Sequence, residues 1–219
     1  MKGRNRLRLE VRLVESPELI PMIDGRDVLG EMWDGIGPDP DHLLGPRSPL
    51  IPVDGGRDVV LRVNTCGMAE CASVIARVRR DGPEVVWDEF HFLRGPAIAA
   101  FGPFRFDAVD YLKEVDRADR ERDWESGDRR TGRLVANALA AIDLMSSIGW
   151  ELNWVGPTNT ADWDSGDYLP GVGVFLVNDS GAVLLGFPNE PGETPERAAR
   201  ICEVVLGGNP ATWPVVLRH

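Results

Sequence analysis

The chain predicts an α+β fold: an antiparallel β-meander in the first half, two helices in the middle, then a β-hairpin and a helix. Three observations carry this. Strand-length segments with period-two or wholly apolar character gather in residues 6–92. Helical periodicities occupy a separate block, about 107–147. Tight-turn residues, Asp81-Gly82 above all, stand between strand segments. Strands and helices gathered in blocks, not alternating, mark α+β architecture.

Arg6–Val14 alternates charged and apolar residues, with Leu7, Leu9, Val11 and Leu13 on one face of a half-buried strand. Glu18–Ile23 returns beside it after Ser16-Pro17. Residues 24–56, rich in Gly, Pro and Asp, hold only short helical turns such as the one Pro40 opens. The meander follows as Asp58–Asn64, Ala72–Arg80 and Glu84–Phe92. A first helix starts at the N-cap Asp107 and runs to about Trp124. Its apolar stripe (Val109, Leu112, Val115, Ala118) is thin, and Asp116/Arg120 and Arg117/Glu121 stand at i,i+4 spacing. A second helix, about Arg129–Ser147, turns Leu134, Ala138, Leu139, Ile142 and Met145 to the core, and Gly149 suits its end.

Trp150–Val155 reads as a short strand and Gly156–Gly171 as a loop. Gly173–Val177 and Ala182–Phe187 form a hairpin about Asn178-Asp179-Ser180-Gly181. Their continuous apolar runs predict burial on both faces. Thr194-Pro195 opens a helix that Gly207-Gly208 stops, and Val215–Leu217 is a last strand. A single domain of 219 residues is expected. Its weakest joint, near 95–103, separates a β-rich half (1–102) from an α+β half (103–219).

Hydrophobic content of 43% with seven Trp describes a folded protein. No apolar run approaches the ~20 residues of a membrane helix. The opening MKGRNRLRLEVRLV has no signal-peptide core, so a cytoplasmic location is expected. Three Cys make a poor disulfide framework. All basic residues but Lys2 and Lys113 are Arg, which does not deprotonate at working pH, so amine chemistry has little to rest on.

Charge is the most informative property. The net charge is −11, and residues 134–196 hold nine carboxylates with no Lys, Arg or His. A one-signed field of this kind bears on partner choice and association rate. It disfavours nucleic acid and anionic membranes, and favours a basic protein.

Two local features carry candidate chemistry. Thr65–Cys71 joins two strands, and a hairpin turning at Asp81 and Gly82 sets His91 opposite Ala72, beside Cys66 and Cys71. A Cys/Cys/His metal cluster would then need a fourth ligand, from Cys202, Glu70 or Glu89. The C-x4-C spacing is undiagnostic, and buried thiols packing as small hydrophobes are the better reading, so no metal or cofactor is expected. The second feature is Asp162-Trp163-Asp164-Ser165-Gly166-Asp167. It fails as an EF-hand loop, because the sixth position is Asp167, not Gly, and the twelfth is Gly173, not Glu. Hydrolase, zincin, P-loop and dinucleotide signatures are absent from the sequence. The Asp116/Asp119 pair reads as the wet face of a charged helix.

Three segments together resemble a group of conserved, functionally uncharacterised proteins of high-GC actinobacteria: VNTCGMAECASVIARVRRDGPEVVWDEF, the Phe106-Asp107…Tyr111…Glu114 helix start, and Arg120…Trp124-Glu125. The resemblance covers about residues 55–140. It implies a bacterial cytoplasmic origin and transfers neither an activity nor site residues.

The leading expectation is a non-catalytic acidic protein that binds a basic partner protein, of inhibitor or immunity type. Its binding residues are Asp162, Trp163, Asp164, Asp167 and Tyr168, with Trp150 and Trp154 as further aromatic anchors. The alternative is a metal-dependent enzyme centred on Cys66, Cys71 and His91. The bland reading of the acidic stretch is a solvated surface over core tryptophans.

Overall fold

The computed structural model describes residues 3–65, 72–93, 97–98, 101–161, 168–188, 194–207 and 213–218. The fold is α+β with antiparallel sheets, and it divides into two compact units, Met1–Trp124 and Glu125–His219. The division falls after Trp124 and not at 102/103, because the elements on either side of residues 95–103 share one core.

In the first unit, β1 (Leu7–Leu13) and β2 (Pro17–Ile23) form a hairpin. β3 (Arg57–Val63), β4 (Ser73–Asp81), β5 (Glu84–Phe92) and β6 (Phe104–Asp107) form an antiparallel sheet in that order. Between them lie two single turns, α1 (Val28–Met32) and α2 (Pro40–Leu43), each opened by an Asp whose side chain accepts a helix N–H. The segments that flank the hairpin reach both edges of the sheet. Asn5 donates its N–H to the Arg105 carbonyl beside β6, while Ile36 bridges Val63 on β3 and the Leu19 N–H reaches the Pro38 carbonyl. These links close the strands into a loose ring around Leu9, Leu19, Val59, Leu61, Val78, Val85, Trp87 and Phe106, all buried.

α3 (Ala108–Arg120) closes this core, with Asp107 accepting from the N–H groups of Val109 and Asp110 as the N-cap. Its buried residues are Ala108, Tyr111, Val115 and Ala118, whereas Val109 is 60% exposed. The expected stripe was rotated because Tyr111 and Ala108 claim the core positions next to Trp87 and Phe106. The Tyr111 hydroxyl donates to the Leu50 carbonyl at 2.8 Å and accepts from Trp87 Nε1 at 3.2 Å. It thereby ties helix, sheet and the 45–50 connection through one buried oxygen.

In the second unit, α4 (Gly127–Ala140) precedes α5 (Leu144–Ile148), and β7 (Glu151–Ala161), β8 (Tyr168–Asn178), β9 (Gly181–Pro188), α6 (Thr194–Leu206) and β10 (Val215–Arg218) follow. The sheet order is β10-β9-β8-β7, antiparallel throughout. The second helix expected from the sequence is thus two. Asp143 accepts from the Ser146 N–H and starts a new helix, which Gly149 ends at φ 75°. Ile142 and Met145 are consequently exposed, and Val135 and Leu139 carry the burial of α4.

The expected loop at 156–171 is largely strand. β7 and β8 pair from Glu151↔Val177 to Ala161↔Tyr168. Pro157 and Gly156 weaken the strand signal, yet the pairing places Gly156, Gly173 and Gly186 in a row across three strands. The Trp154 indole lies over this row: a Cβ on Gly156 would come within 2.4 Å of it, and one on Gly173 within 3.0 Å. Across the sheet, α4 approaches through Gly132, where a Cβ would meet the Gly156 backbone at 3.2 Å. These glycines serve close packing. Burial is also one-sided: Val172, Val174 and Leu176 are buried while Phe175 and Val177 are half-buried, so the expectation of two buried faces is corrected.

Tyr111→Phe strands the Leu50 carbonyl and the Trp87 N–H in the core, and is expected to cost about 2–4 kcal/mol of stability. Urea unfolding followed by Trp fluorescence measures it, and a loss under about 0.5 kcal/mol would show that the two groups find other partners.

Candidate functional site

The Cys/Cys/His proposition depends on hairpin register, and the register differs from that expected. Asp81 pairs with Glu84, so the turn takes in Pro83, and a bulge between Ile75 and Arg77 shifts the pairing again. Glu89 takes φ 49° at this bulge. His91 therefore stands opposite Ile75, not Ala72, and its Nδ1 lies 2.9 Å from the Glu89 carbonyl oxygen. Cys66, Glu70 and Cys71 lie outside the described residues. Cys202 belongs to α6 in the second unit, where burial raises its thiol pKa and keeps it protonated. Among the described residues, no three of His, Cys, Asp and Glu converge as metal ligands would.

The first unit instead carries a system of arginine–carboxylate pairs that sequence reading reduced to helix-surface pairs. Leu9 stands opposite Pro21 of β2, and its backbone N–H and C=O are satisfied by α3: Glu114 Oε1 accepts the N–H at 2.7 Å and Arg117 Nη2 donates to the carbonyl at 2.6 Å. The same guanidinium donates to Glu114 at 2.6 Å, and Glu114's hydrogen bonds raise the Arg117 pKa. At the sheet's lower edge Arg4 bridges Glu84 and Asp107, and Arg105 bridges Glu84 and Asp81. Inside, Arg62, 8% exposed, is paired with Asp27 at 3.2 Å. A cleft of about 780 Å³ opens between β1 and α3. Four of its cations are matched in place, Arg4 to Asp107, Arg8 and Arg117 to Glu114 and Lys113 to Asp110, while the Arg6 side chain makes no ion pair among the described residues. The sequence signal that could have found it is the Arg4, Arg6, Arg8 alternation at the start of β1, facing the acidic positions of α3.

The second unit treats charge differently. Arg133 pairs bidentately with Glu125, and Arg197 with Asp128. Asp143, Glu151, Asp179 and Glu196 are exposed and make no ion pair among the described residues. Of the candidate binding residues, Tyr168 begins β8 opposite Ala161, at the far end of the β7–β8 pairing. Asp162, Trp163, Asp164 and Asp167 fall in the connection between these two residues and lie outside the described set. Trp150 packs edge-on to Trp213 at 5.8 Å against the core, and Trp154 covers the glycine row. Both are partly buried and pack within the second unit.

No family model, curated protein or solved structure matches the chain. Among the described residues, no helix is long and apolar enough to cross a membrane.

Arg4 donates to both Glu84 and Asp107, and this gives a pH signature. Glu84 is held below the usual carboxylate range chiefly by Arg4 and then Arg105; Asp107 by the Asp110 and Val109 N–H groups and by Arg4. A carboxyl depressed in the folded state stabilises above its unfolded pKa, and that contribution is lost as pH falls through the folded value. The melting temperature of Arg4→Gln should thus lie below that of the parent at neutral pH and converge on it below about pH 4. A difference that does not change with pH would show that Arg4 acts through packing alone.

Proposed function

We propose that the protein is a non-catalytic binding protein that engages a basic partner protein through the acid-only part of its second unit, as an inhibitor or immunity protein does. The observation that carries this reading is the contrast in how the two units treat carboxylates. In the first unit most are matched to arginines. In the second, exposed Asp143, Glu151, Asp179 and Glu196 make no ion pair among the described residues, in a stretch of sequence that supplies no cation. Asp143 caps α5, but Glu151, Asp179 and Glu196 meet no cation among the described residues, and carboxylates of one sign repel one another, so their concentration there is better explained by a ligand of opposite sign. The β7–β8 pairing supports it too, since its long strands end at Tyr168, next to the acidic Trp163 segment. The metal-enzyme alternative is weakened by the register that takes His91 away from Ala72.

Charges at a rim raise encounter rate more than they hold a complex, and screening over about 8 Å at physiological salt removes the effect. Against a partner recovered by pull-down, the triple change of Asp162, Asp164 and Asp167 to Asn should slow association up to about ten-fold at low salt, with folding stability little altered. Trp163→Ala should instead speed dissociation. Surface plasmon resonance at low and high salt measures both rates. An acidic partner, or a triple variant that associates like the parent at both salts, would reduce the stretch to a solvated face.

A further inference from the structure

We propose that the groove between the end of β9 and α6 binds a small apolar monocarboxylate. The groove, about 230 Å³, is lined by Phe187 and Pro188 and by Arg197, Arg200, Ile201 and Val204. The four helical residues stand at positions that share one face. The two arginines are the only Lys or Arg residues between 134 and 217, and both line this groove.

Arg197 is 7% exposed. Its Nη1 donates to Asp128 at 3.1 Å, while its buried Nη2 has no partner among the described residues. A guanidinium fork is built to meet a carboxylate with two parallel N–H groups, and a buried N–H left unmet is costly. A second carboxylate oxygen within reach would remove that cost. Arg200, one turn on, is exposed and makes no ion pair among the described residues.

Charge and size narrow the ligand. Asp128 already neutralises Arg197, which leaves one positive charge, that of Arg200, for the groove. This suits a monoanion better than a phosphate dianion. Phe187, Pro188, Ile201 and the 42% exposed Val204 supply apolar walls, so the anion should carry a hydrocarbon part. The volume equals about eight waters, room for about eight ligand heavy atoms, as in hexanoate. The inference is independent of the basic-partner reading, since it uses none of the unpaired carboxylates.

The test is a titration of the full chain with sodium hexanoate, followed by amide NMR shifts and calorimetry. Saturable binding is expected, with shifts centred on Phe187, Ile201 and Val204. Hexan-1-ol and hexylammonium at equal concentration should not bind, and acetate should bind far more weakly. Arg200→Gln, a surface change that leaves the Arg197–Asp128 pair intact, should weaken hexanoate about ten-fold or more. Arg197→Gln should abolish binding, with folding checked by circular dichroism. Equal binding of hexanol, preferential binding of inorganic phosphate, parent-like affinity in Arg200→Gln, or tighter binding by a peptide C-terminus than by hexanoate would each overturn the proposal.

Discussion

The constraint on which the rest depends is the disposal of an excess of carboxylates, 35 against 24 basic residues. Each carboxylate must meet a cation, cap a helix or stand in water. The first unit meets the demand with guanidinium groups, whose fork can serve two acceptors together. Glu114 and Arg117 show what this achieves: a side-chain pair from α3 satisfies both backbone groups of Leu9, where a further strand would otherwise pair. An edge strand sealed in this way is not available for aggregation. Exposed pairs such as Arg120–Asp116 stabilise by at most about 1 kcal/mol each, so their contribution is to register and edge protection more than to stability. Stability comes from the core around Trp87, Phe106 and Tyr111.

The second unit rests on close packing, with its carboxylates set outward. Gly132 against Gly156, and the Trp154 indole over Gly156 and Gly173, let a helix and a large ring approach the sheet within contacts a side chain would forbid. Val172, Val174, Leu176, Val183 and Leu185 then form a one-sided core with Ile201 and Val205 of α6. Arg133–Glu125 and Arg197–Asp128 pair charges beside this core, while Glu151, Asp179 and Glu196 face solvent and shape a field. That concentration of acids in residues 134–196, which supply no cation, is what the binding reading explains and an evenly acidic surface does not.

Much of the architecture was legible in the chain. The period-two pattern of Arg6–Val14, the meander and the Thr194-Pro195 helix start all appear within a residue or two of their expected bounds. Local signals suffice there, because alternation, caps and turns are properties of neighbouring residues. What was not legible depends on distant ones. The Asp143 cap that splits the helix looks like an ordinary helix residue until Ser146 answers it. The strand at 156–161 is hidden by Gly and Pro, whose meaning appears only when Trp154 and α4 are placed over them. The His91 register was shifted first by a turn that takes in Pro83 and again by a bulge at Glu89, which no tight-turn rule foresees. At the candidate sites, the acidic bias was visible, whereas the unmet N–H of Arg197 requires the fold that brings Asp128 to it from another helix.

The central claim is that the second unit, through its cation-free stretch 134–196, presents a stronger field for a cation than the first. Amide NMR of the full chain titrated with a hexa-arginine peptide tests it most directly. The account predicts shifts largest around Asp143, Glu151 and Asp179 that fade as salt is raised, with smaller shifts in the first unit. Shifts largest at exposed first-unit acids such as Glu10 and Glu15, or spread equally over both units, would contradict it.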